Sequence, residues 1–186
     1  MSWYQDTPSV SLELIEALGV GRDEAVIDIG GGASLLADYL LKRGFVDVSV
    51  LDLSATALAE TGRRLVDAAP ATLLHEDLLV WRPERRFDLW HDRALFHFLV
   101  APDDRDKYVQ TLRSAVPVGG RVVLATFAAD GPELCSGLPV HRYSVTELTE
   151  LLGADFELLE TRREAHVTPR GVTQPFTWVG GRMGFA

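Results

Sequence analysis

Cysteine is almost absent from this sequence, as are long apolar runs and any surplus of basic charge. The single cysteine, Cys135, excludes an internal disulfide and favours a reducing compartment. No run approaches the roughly 18 apolar residues of a membrane-spanning helix. The N-terminal MSWYQDTPSV lacks the basic and apolar regions of a signal peptide. We therefore expect a cytoplasmic protein without a membrane segment.

The charge balance is acidic, with a formal net charge of −9. An acidic surface repels phosphate backbones, which argues against a nucleic-acid partner. The densest basic stretches, RPERR (82–86) and TRREAH (161–166), both contain glutamate and look like solvated faces. His91 and His97 lack a ligand spacing typical of zinc, so no metal site is expected.

The 186 residues alternate between two hydrophobic patterns. Helix-type stretches lie at 9–18, 34–44, 54–69, 102–116 and 144–153, capped at the first by Ser9 or Ser11 and at the third by Ser54. Strand-type runs lie at 25–30, 46–54, 71–79, 86–95, 117–128, 155–167 and 174–185. This alternation predicts one α/β domain over 1–186, with residues 1–20 as an N-terminal lid and helix region. Its doubly wound, mostly parallel seven-stranded sheet would end in a C-terminal antiparallel hairpin.

The stretch VIDIGGGAS (26–34) ends a predicted strand in a run of glycines, which brings backbone close to a ligand. A phosphate-binding P-loop would need Lys-Ser or Lys-Thr after the last glycine, and Ala33 follows instead. A dinucleotide fold would need a third glycine where Leu35 stands. Asp28 suits a cationic ligand such as S-adenosylmethionine better than a phosphate.

The same stretch resembles motif I of the class I S-adenosylmethionine-dependent methyltransferases. Asp28, Gly30 and Gly32 match its acidic residue and first two glycines, and Ser34 stands in place of the third. PVGGRVVLATF (117–127) resembles the family's turn before its fifth strand. The resemblance implies the Rossmann-like methyltransferase fold and S-adenosylmethionine as the cofactor.

The resemblance also implies a set of cofactor contacts. The aspartate that ends the second strand, Asp52, would accept hydrogen bonds from the two ribose hydroxyls. After the third strand, Asp77 would lie near the adenine amino group and Leu78 beside its ring. The complete set of expected cofactor residues is Tyr4, Asp28, Gly30, Gly31, Gly32, Ser34, Asp52, Leu53, Asp77, Leu78 and His91.

Methyl transfer from a sulfonium is an in-line displacement, in which the enzyme mainly positions donor and acceptor. The segment after the fourth strand, LWHDRALFHFL (89–99), would face the methyl group. Its candidates are His91 as a base, Asp92 as an orienting carboxylate or proton acceptor, Arg93 as a holder of an anionic acceptor, and His97. Alternatively, Asp92 and Arg93 form a structural ion pair and His97 packs under the sheet.

A second informative segment is DGPELCSGLPVHRY (130–143), which is long and rich in glycine and proline, as functional loops often are. In this fold it would cover the acceptor pocket, with Cys135, His141, Arg142 and Tyr143 as candidate substrate contacts. Gln174 in the terminal hairpin is a further candidate. Cys135 could equally be an inert small residue.

Parts of the chain, including DLWHDRAL, resemble the thiopurine and tellurite-resistance methyltransferases, which act on small soft acceptors. We therefore expect methyl transfer to a small-molecule nucleophile. Two alternatives remain open: a protein lysine methyltransferase, and a non-catalytic module that binds S-adenosylmethionine.

Overall fold

The computed structural model describes residues 5–66, 71–169 and 171–184, so the predicted lid residue Tyr4 lies outside the described residues. The helices are α1 (Ser9–Ala17), α2 (Leu36–Lys42), α3 (Ala55–Arg64), α4 (Pro102–Ala115) and α5 (Val145–Leu152). The strands are β1 (Val26–Ile29), β2 (Val48–Asp52), β3 (Thr72–His75), β4 (Leu89–Arg93), β5 (Arg121–Phe127), β6 (Leu134–Cys135), β7 (Leu138–Pro139), β8 (Phe156–Val167) and β9 (Thr173–Met183). A short 3-10 helix, Phe96–Phe98, follows β4.

A seven-stranded sheet in the order β3-β2-β1-β4-β5-β9-β8 forms the centre of the molecule. The first five of these strands pair in parallel, whereas β9 runs antiparallel to both β5 and β8. The predicted fold class is therefore confirmed, including the C-terminal antiparallel pair. Chain order reverses between β1 and β4, and such a switch point is where parallel sheets bind ligands.

Helices cover both faces of the sheet, as the continuous burial of β1 requires. Side chains of α1, α2 and α3 form one core cluster against the first face, and α4 and α5 form a second cluster against the other. Neighbouring residues of β4 divide between them, since Leu89 belongs to the first cluster and Trp90 to the second. Among the described helices, none has the length and apolarity to cross a bilayer.

Several predicted element ends differ from the observed ones. Ser54 caps α3 as predicted, with its Oγ accepting a hydrogen bond from the Ala57 amide at 3.2 Å. The predicted caps of α1 are wrong: the helix begins at Ser9 directly after Pro8, without a side-chain cap, and Ser11 is buried inside it. The small β6–β7 hairpin within 130–143 was not predicted. Two residues per strand are too few to produce a recognisable periodicity.

Candidate functional site

A cavity of about 440 Å³ lies at the carboxyl ends of β1, β2 and β4. The glycine loop, residues 30–34 between β1 and α2, lines one part of it together with Asp52. His91 and Arg93 from β4 and Ser11 from α1 line another part. Parallel strands end at one edge of the sheet, which is why residues so far apart in the chain meet here.

The glycines leave room for two carboxyl groups beside the backbone. A Cβ atom at Gly31 would collide with the Asp28 carboxyl, and one at Gly32 would lie 2.6 Å from Asp52 Oδ2. Gly32 also has a φ of +39°, in the left-handed region that favours glycine. The loop backbone therefore passes close to both acids. Such a cradle fits S-adenosylmethionine, which has ribose hydroxyls and a positive charge but no phosphate.

Asp52 stands at the end of β2 with one oxygen already engaged. Its Oδ1 accepts a hydrogen bond from the Ser54 amide at 2.7 Å. Burial raises the pKa of the Asp52 carboxyl, and the nearby charge of Asp28 raises it further. The remaining oxygen lies on the side of Gly32 and suits hydroxyl donors from a ligand.

Two side chains of α3 hold the glycine loop from behind. Thr61 Oγ1 donates a hydrogen bond to the Gly32 carbonyl at 2.6 Å, and Arg64 Nη2 donates to the Ser34 carbonyl at 2.7 Å. Asp38 of α2 accepts from Arg64 through both of its oxygens, at 3.1 and 3.0 Å. The same helix therefore begins next to Asp52 and supports the loop that faces it.

His91 lies between two partners from other elements. Its Nδ1 is 2.7 Å from Asp28 Oδ1, and its Nε2 is 2.9 Å from Ser11 Oγ. The register of β1 and β4 places Asp28 directly beside His91. All three residues are buried within the protein, and all three line the cavity.

Arg93, two residues further along β4, lies on the same side as His91. Its guanidinium is 4.7 Å from the centre of the Phe176 ring and 3.8 Å from Glu164 Oε1. Glu164 also accepts hydrogen bonds from Gln5 Nε2 at 2.5 Å and Trp178 Nε1 at 2.9 Å. Burial lowers the pKa of Arg93 while Glu164 opposes that shift, and arginine stays cationic in proteins.

Asp92 points away from the cavity, towards α4. Its Oδ1 accepts from the Leu95 and Phe96 amides at 3.0 and 3.3 Å, and its Oδ2 accepts from the Tyr108 hydroxyl at 2.8 Å. Tyr108 in turn accepts from Trp90 Nε1 at 2.9 Å. Burial raises the pKa of Asp92 to about 7. The structure therefore corrects the prediction that Asp92 belongs to the catalytic cluster.

The predicted catalytic residue His97 is also absent from the cavity lining, because its ring packs under the sheet. The ring centre lies 4.6 Å from that of Phe127 and 4.7 Å from that of Phe98. Its Nδ1 accepts a hydrogen bond from the Phe127 amide at 3.3 Å. Burial, together with the charge of Arg93, lowers the pKa of His97 to about 3. The alternative interpretation of His97 as a packing residue agrees with this environment.

Most of the predicted cofactor residues meet at the cavity: Asp28, Gly30, Gly31, Gly32, Ser34, Asp52 and His91. Three others do not line it. The side chain of Leu53 is largely exposed, and Leu78 is buried in the second core cluster. Asp77 Oδ1 accepts a hydrogen bond from the Leu79 amide at 3.0 Å, within the turn that follows β3. The expected cofactor contacts of Leu53, Asp77 and Leu78 thus find no place in the cavity lining.

The segment 130–143 reaches the cavity through Ser136, which lies at the turn between β6 and β7. The predicted contact Cys135 is buried in the first core cluster. His141 and Tyr143 line a separate open cleft between α4 and α5. Arg142 donates to the Gly131 carbonyl at 3.1 Å, away from the cavity. The expected substrate contacts Cys135, His141, Arg142 and Tyr143 thus find no place in the cavity lining.

Gln174 is likewise buried in β9, opposite His166 of β8, and does not line the cavity. In contrast, the cavity lining includes Gln5, Ser11 and Phe98, which were not predicted. Ser11 carried a usable signal, because it shares the buried face of α1 with residues three and four positions later, where Leu14 and Ile15 stand. A polar residue on an apolar face needs a partner.

In the described part of the chain, no group of three or more His, Cys, Asp or Glu residues is placed to hold a metal ion.

The chain is similar to malonyl-[acyl-carrier protein] O-methyltransferase 1 of Ilyobacter polytropus, with 26% identity over 153 residues. The match covers 76% of this chain and 56% of the relative, so the chain spans about half the length of that protein.

Solved structures show the same fold at low identity. The Burkholderia thailandensis 1,6-didemethyltoxoflavin-N1-methyltransferase, solved with S-adenosylhomocysteine, has a TM-score of 0.76 and 23% identity; the match covers 96% of this chain and 78% of that one. TehB from Haemophilus influenzae has a TM-score of 0.73 and 18% identity; the match covers 96% of this chain and 64% of that one.

The family comparison covers the part of the chain that builds most of the cavity. A family model described as a methyltransferase domain matches residues 26–120, slightly more than half of the chain. The match includes the glycine loop, Asp52 and the His91–Arg93 segment. The chain therefore belongs to the methyltransferase domain family.

Proposed function

We propose that this protein transfers the methyl group of S-adenosylmethionine to a small nucleophilic acceptor. One observation carries the proposal: the glycine loop and Asp52 share a single cavity with His91 and Arg93. The first two suit the cofactor, and the last two are polar groups suited to an acceptor. Methyl transfer requires donor and acceptor to be held in line within one enclosed space.

At the cofactor end, Asp52 would accept the ribose hydroxyls, while Gly30, Gly31 and Gly32 let the backbone approach closely. S-adenosylmethionine supplies an electrophilic methyl group on a positively charged sulfur. The charges of Asp28 and Asp52 suit that cation. Thr61 and Arg64 hold the loop carbonyls, so the loop is shaped before the cofactor arrives.

At the acceptor end, the available space favours a small molecule. A cavity of about 440 Å³ lies in the lower part of the range for small-molecule sites, and the cofactor itself occupies part of it. Leu95 and Phe98 supply apolar lining, and Ser136 reaches it from the β6–β7 hairpin. This lining suits a compact acceptor with an apolar body.

The cationic side chain in the lining, Arg93, favours an acceptor that carries a negative charge. The Ilyobacter relative is named for O-methylation of malonyl-[acyl-carrier protein]. Malonyl groups carry a carboxylate, so carboxylates belong among the acceptors to be tested beside thiols and phenols.

The test is turnover with methyl-labelled S-adenosylmethionine and a panel of thiols, phenols, small carboxylates and a protein extract. Calorimetry with S-adenosylhomocysteine measures cofactor binding separately. We expect label in a small-molecule product. Label only in protein would favour a protein methyltransferase, and binding without any transfer would favour a non-catalytic module. Absence of both binding and transfer would contradict the cofactor assignment as well.

A further inference from the structure

Three buried polar residues form a continuous hydrogen-bonded chain along one wall of the cavity. Ser11 comes from α1, His91 from β4 and Asp28 from β1, and their exposed fractions are 1%, 2% and 3%. The Ser11 Oγ to His91 Nε2 distance is 2.9 Å, and the His91 Nδ1 to Asp28 Oδ1 distance is 2.7 Å. Three separate elements thus place a hydroxyl, an imidazole and a carboxylate in series.

The chemistry of the groups sets the direction of the hydrogen bonds. An ionised carboxylate only accepts, so His91 Nδ1 donates to Asp28. In the neutral imidazole the other nitrogen is then an acceptor, and the Ser11 hydroxyl donates to it. The Ser11 oxygen keeps acceptor capacity on its cavity side. The chain is therefore oriented to take up a proton from a molecule in the cavity.

We propose that Ser11, His91 and Asp28 form the proton-accepting chain of the methyl transfer, with Ser11 as the residue that meets the acceptor. The inference rests on the proposed function and deepens it: among the acceptors to be tested, it favours those whose reacting atom enters protonated, such as thiols or phenols, over carboxylates. Ser11 and His91 are then catalytic residues, and Asp28 positions the imidazole.

The transfer balances in protons and electrons. The acceptor gives its proton to Ser11 Oγ while the Ser11 proton moves to His91 Nε2. The electron pair left on the acceptor forms the bond to the methyl carbon, and the carbon–sulfur bond breaks with its electrons on sulfur. Asp28 stabilises the resulting imidazolium, which later returns the proton to water.

A comparison within the protein supports this role. His97 is also buried, but its ring is surrounded by Phe98, Phe127 and Phe176. Its pKa is lowered to about 3, so it stays neutral. His91 differs by having a carboxylate partner and by lining the cavity. The carboxylate partner orients the imidazole, so that Nε2 is the nitrogen left to accept a proton.

The test uses Ser11→Ala and His91→Gln, with Ser9→Ala as the matched control. Ser9 lies on the same helix but is exposed. Turnover is measured on two small acceptors of similar shape, one protonated at the assay pH (a phenol or aliphatic thiol) and one already ionised (an acidic aromatic thiol). Cofactor binding is measured with S-adenosylhomocysteine, and folding by thermal melting.

We expect kcat on the protonated acceptor to fall about 10²–10⁴-fold in His91→Gln, the usual contribution of a general base. The loss should be smaller in Ser11→Ala, where water can replace the hydroxyl. Turnover of the ionised acceptor should fall only a few-fold in both variants, and the affinity for S-adenosylhomocysteine should stay within a few-fold of wild type. Ser9→Ala should resemble wild type on both acceptors.

Equal losses on both acceptors, or no loss on either, would overturn the proton-accepting role while leaving methyl transfer intact. A loss of S-adenosylhomocysteine binding would instead make the chain part of the cofactor site and would overturn it too. If His91→Gln does not fold, the acceptor selectivity of Ser11→Ala decides. A wild-type protein that methylates no acceptor would refute the proposed function itself, and the proton chain with it.

Discussion

Both faces of β4 carry polar side chains, but in different surroundings. On the side of α1, His91 and Arg93 line the cavity beside Asp28. On the side of α4, Trp90 and Asp92 are sealed in a network that ends on Tyr108. Five consecutive residues of one strand therefore serve two purposes. The difference shows that polar composition alone does not identify a site.

What separates the two faces is the alternation of side chains along a strand. The cavity-facing residues have partners from other elements and an open side. Asp92 accepts from two amides and a hydroxyl, so its acceptor sites are largely occupied by protein groups. We infer that the face with His91 and Arg93 serves the ligand. The face with Asp92 instead holds the 3-10 helix that follows β4 against α4.

The largest effect should come from removing Asp92, on the side of β4 that packs against α4. Asp92→Ala leaves the Tyr108 hydroxyl and the Leu95 and Phe96 amides without their acceptor, and it also creates a void. We expect the free energy of unfolding to fall by on the order of 3 kcal/mol. Denaturant titration measures this loss. The folded fraction should still bind S-adenosylhomocysteine with wild-type affinity, and a selective loss of binding would place Asp92 in the site after all.

Breaking the ligand face at the cofactor end should affect binding rather than stability. Asp52→Ala should weaken S-adenosylhomocysteine binding by about 2–3 kcal/mol, because two charge-assisted hydrogen bonds are lost. The free energy of unfolding should hardly change, since burial already disfavours the charged carboxyl. Asp77→Ala is the matched control and should bind normally, because Asp77 does not line the cavity. Equal losses in both variants would restore the predicted adenine contact.

The pH dependence of the free energy of unfolding should distinguish two buried groups, Asp92 in β4 and His97 in the 3-10 helix that follows it. His97 has a pKa of about 3 in the folded protein, so below its unfolded value of roughly 6.5 only the unfolded state takes up a proton, and acidification destabilises. Asp92 has a folded pKa of about 7 and an unfolded value of roughly 3.9, so between them the folded state holds the extra proton, and acidification stabilises.

Between about pH 4 and 6.5 these two effects oppose each other. Asp92→Asn should remove the stabilising one, and its free energy of unfolding should then fall more steeply on acidification than that of wild type. The additional slope should reach about 1 kcal/mol per pH unit. Denaturant titrations at several pH values measure it, and parallel curves for the two proteins would contradict the sealed environment of Asp92.

The smallest effect should come from the support behind the glycine loop. A trans peptide places its carbonyl and the following N–H on opposite sides, so the Arg64 bond to the Ser34 carbonyl also orients the Leu35 amide. Arg64→Met should weaken S-adenosylhomocysteine binding by about 1 kcal/mol. Arg63→Met is the control, because Arg63 Nε donates to the Ala59 carbonyl within α3 and does not support the glycine loop among the described residues. No difference between the two variants would show that the loop keeps its shape without Arg64.

The fold could be predicted almost entirely from local patterns. Apolar runs that alternate with amphipathic stretches indicated the parallel sheet, and VIDIGGGAS with Asp52 indicated the family. The family is confirmed, and S-adenosylmethionine is the cofactor that this membership supports. The prediction failed where it treated 89–97 as one cluster. Residues 89–93 form a strand, whose alternation turns Asp92 away from His91.

Motifs of this kind are readable because a few neighbouring residues contain the whole signal: a strand, a turn that requires glycine, and a carboxylate at the next strand end. The hydrogen bond of Ser11 to His91 joins residues 80 positions apart, and Arg64 reaches the glycine loop across 30. Such contacts depend on how α1 and α3 pack on the sheet. No local periodicity encodes that packing, and only the folded chain brings a serine, a histidine and an aspartate to one wall of the cavity.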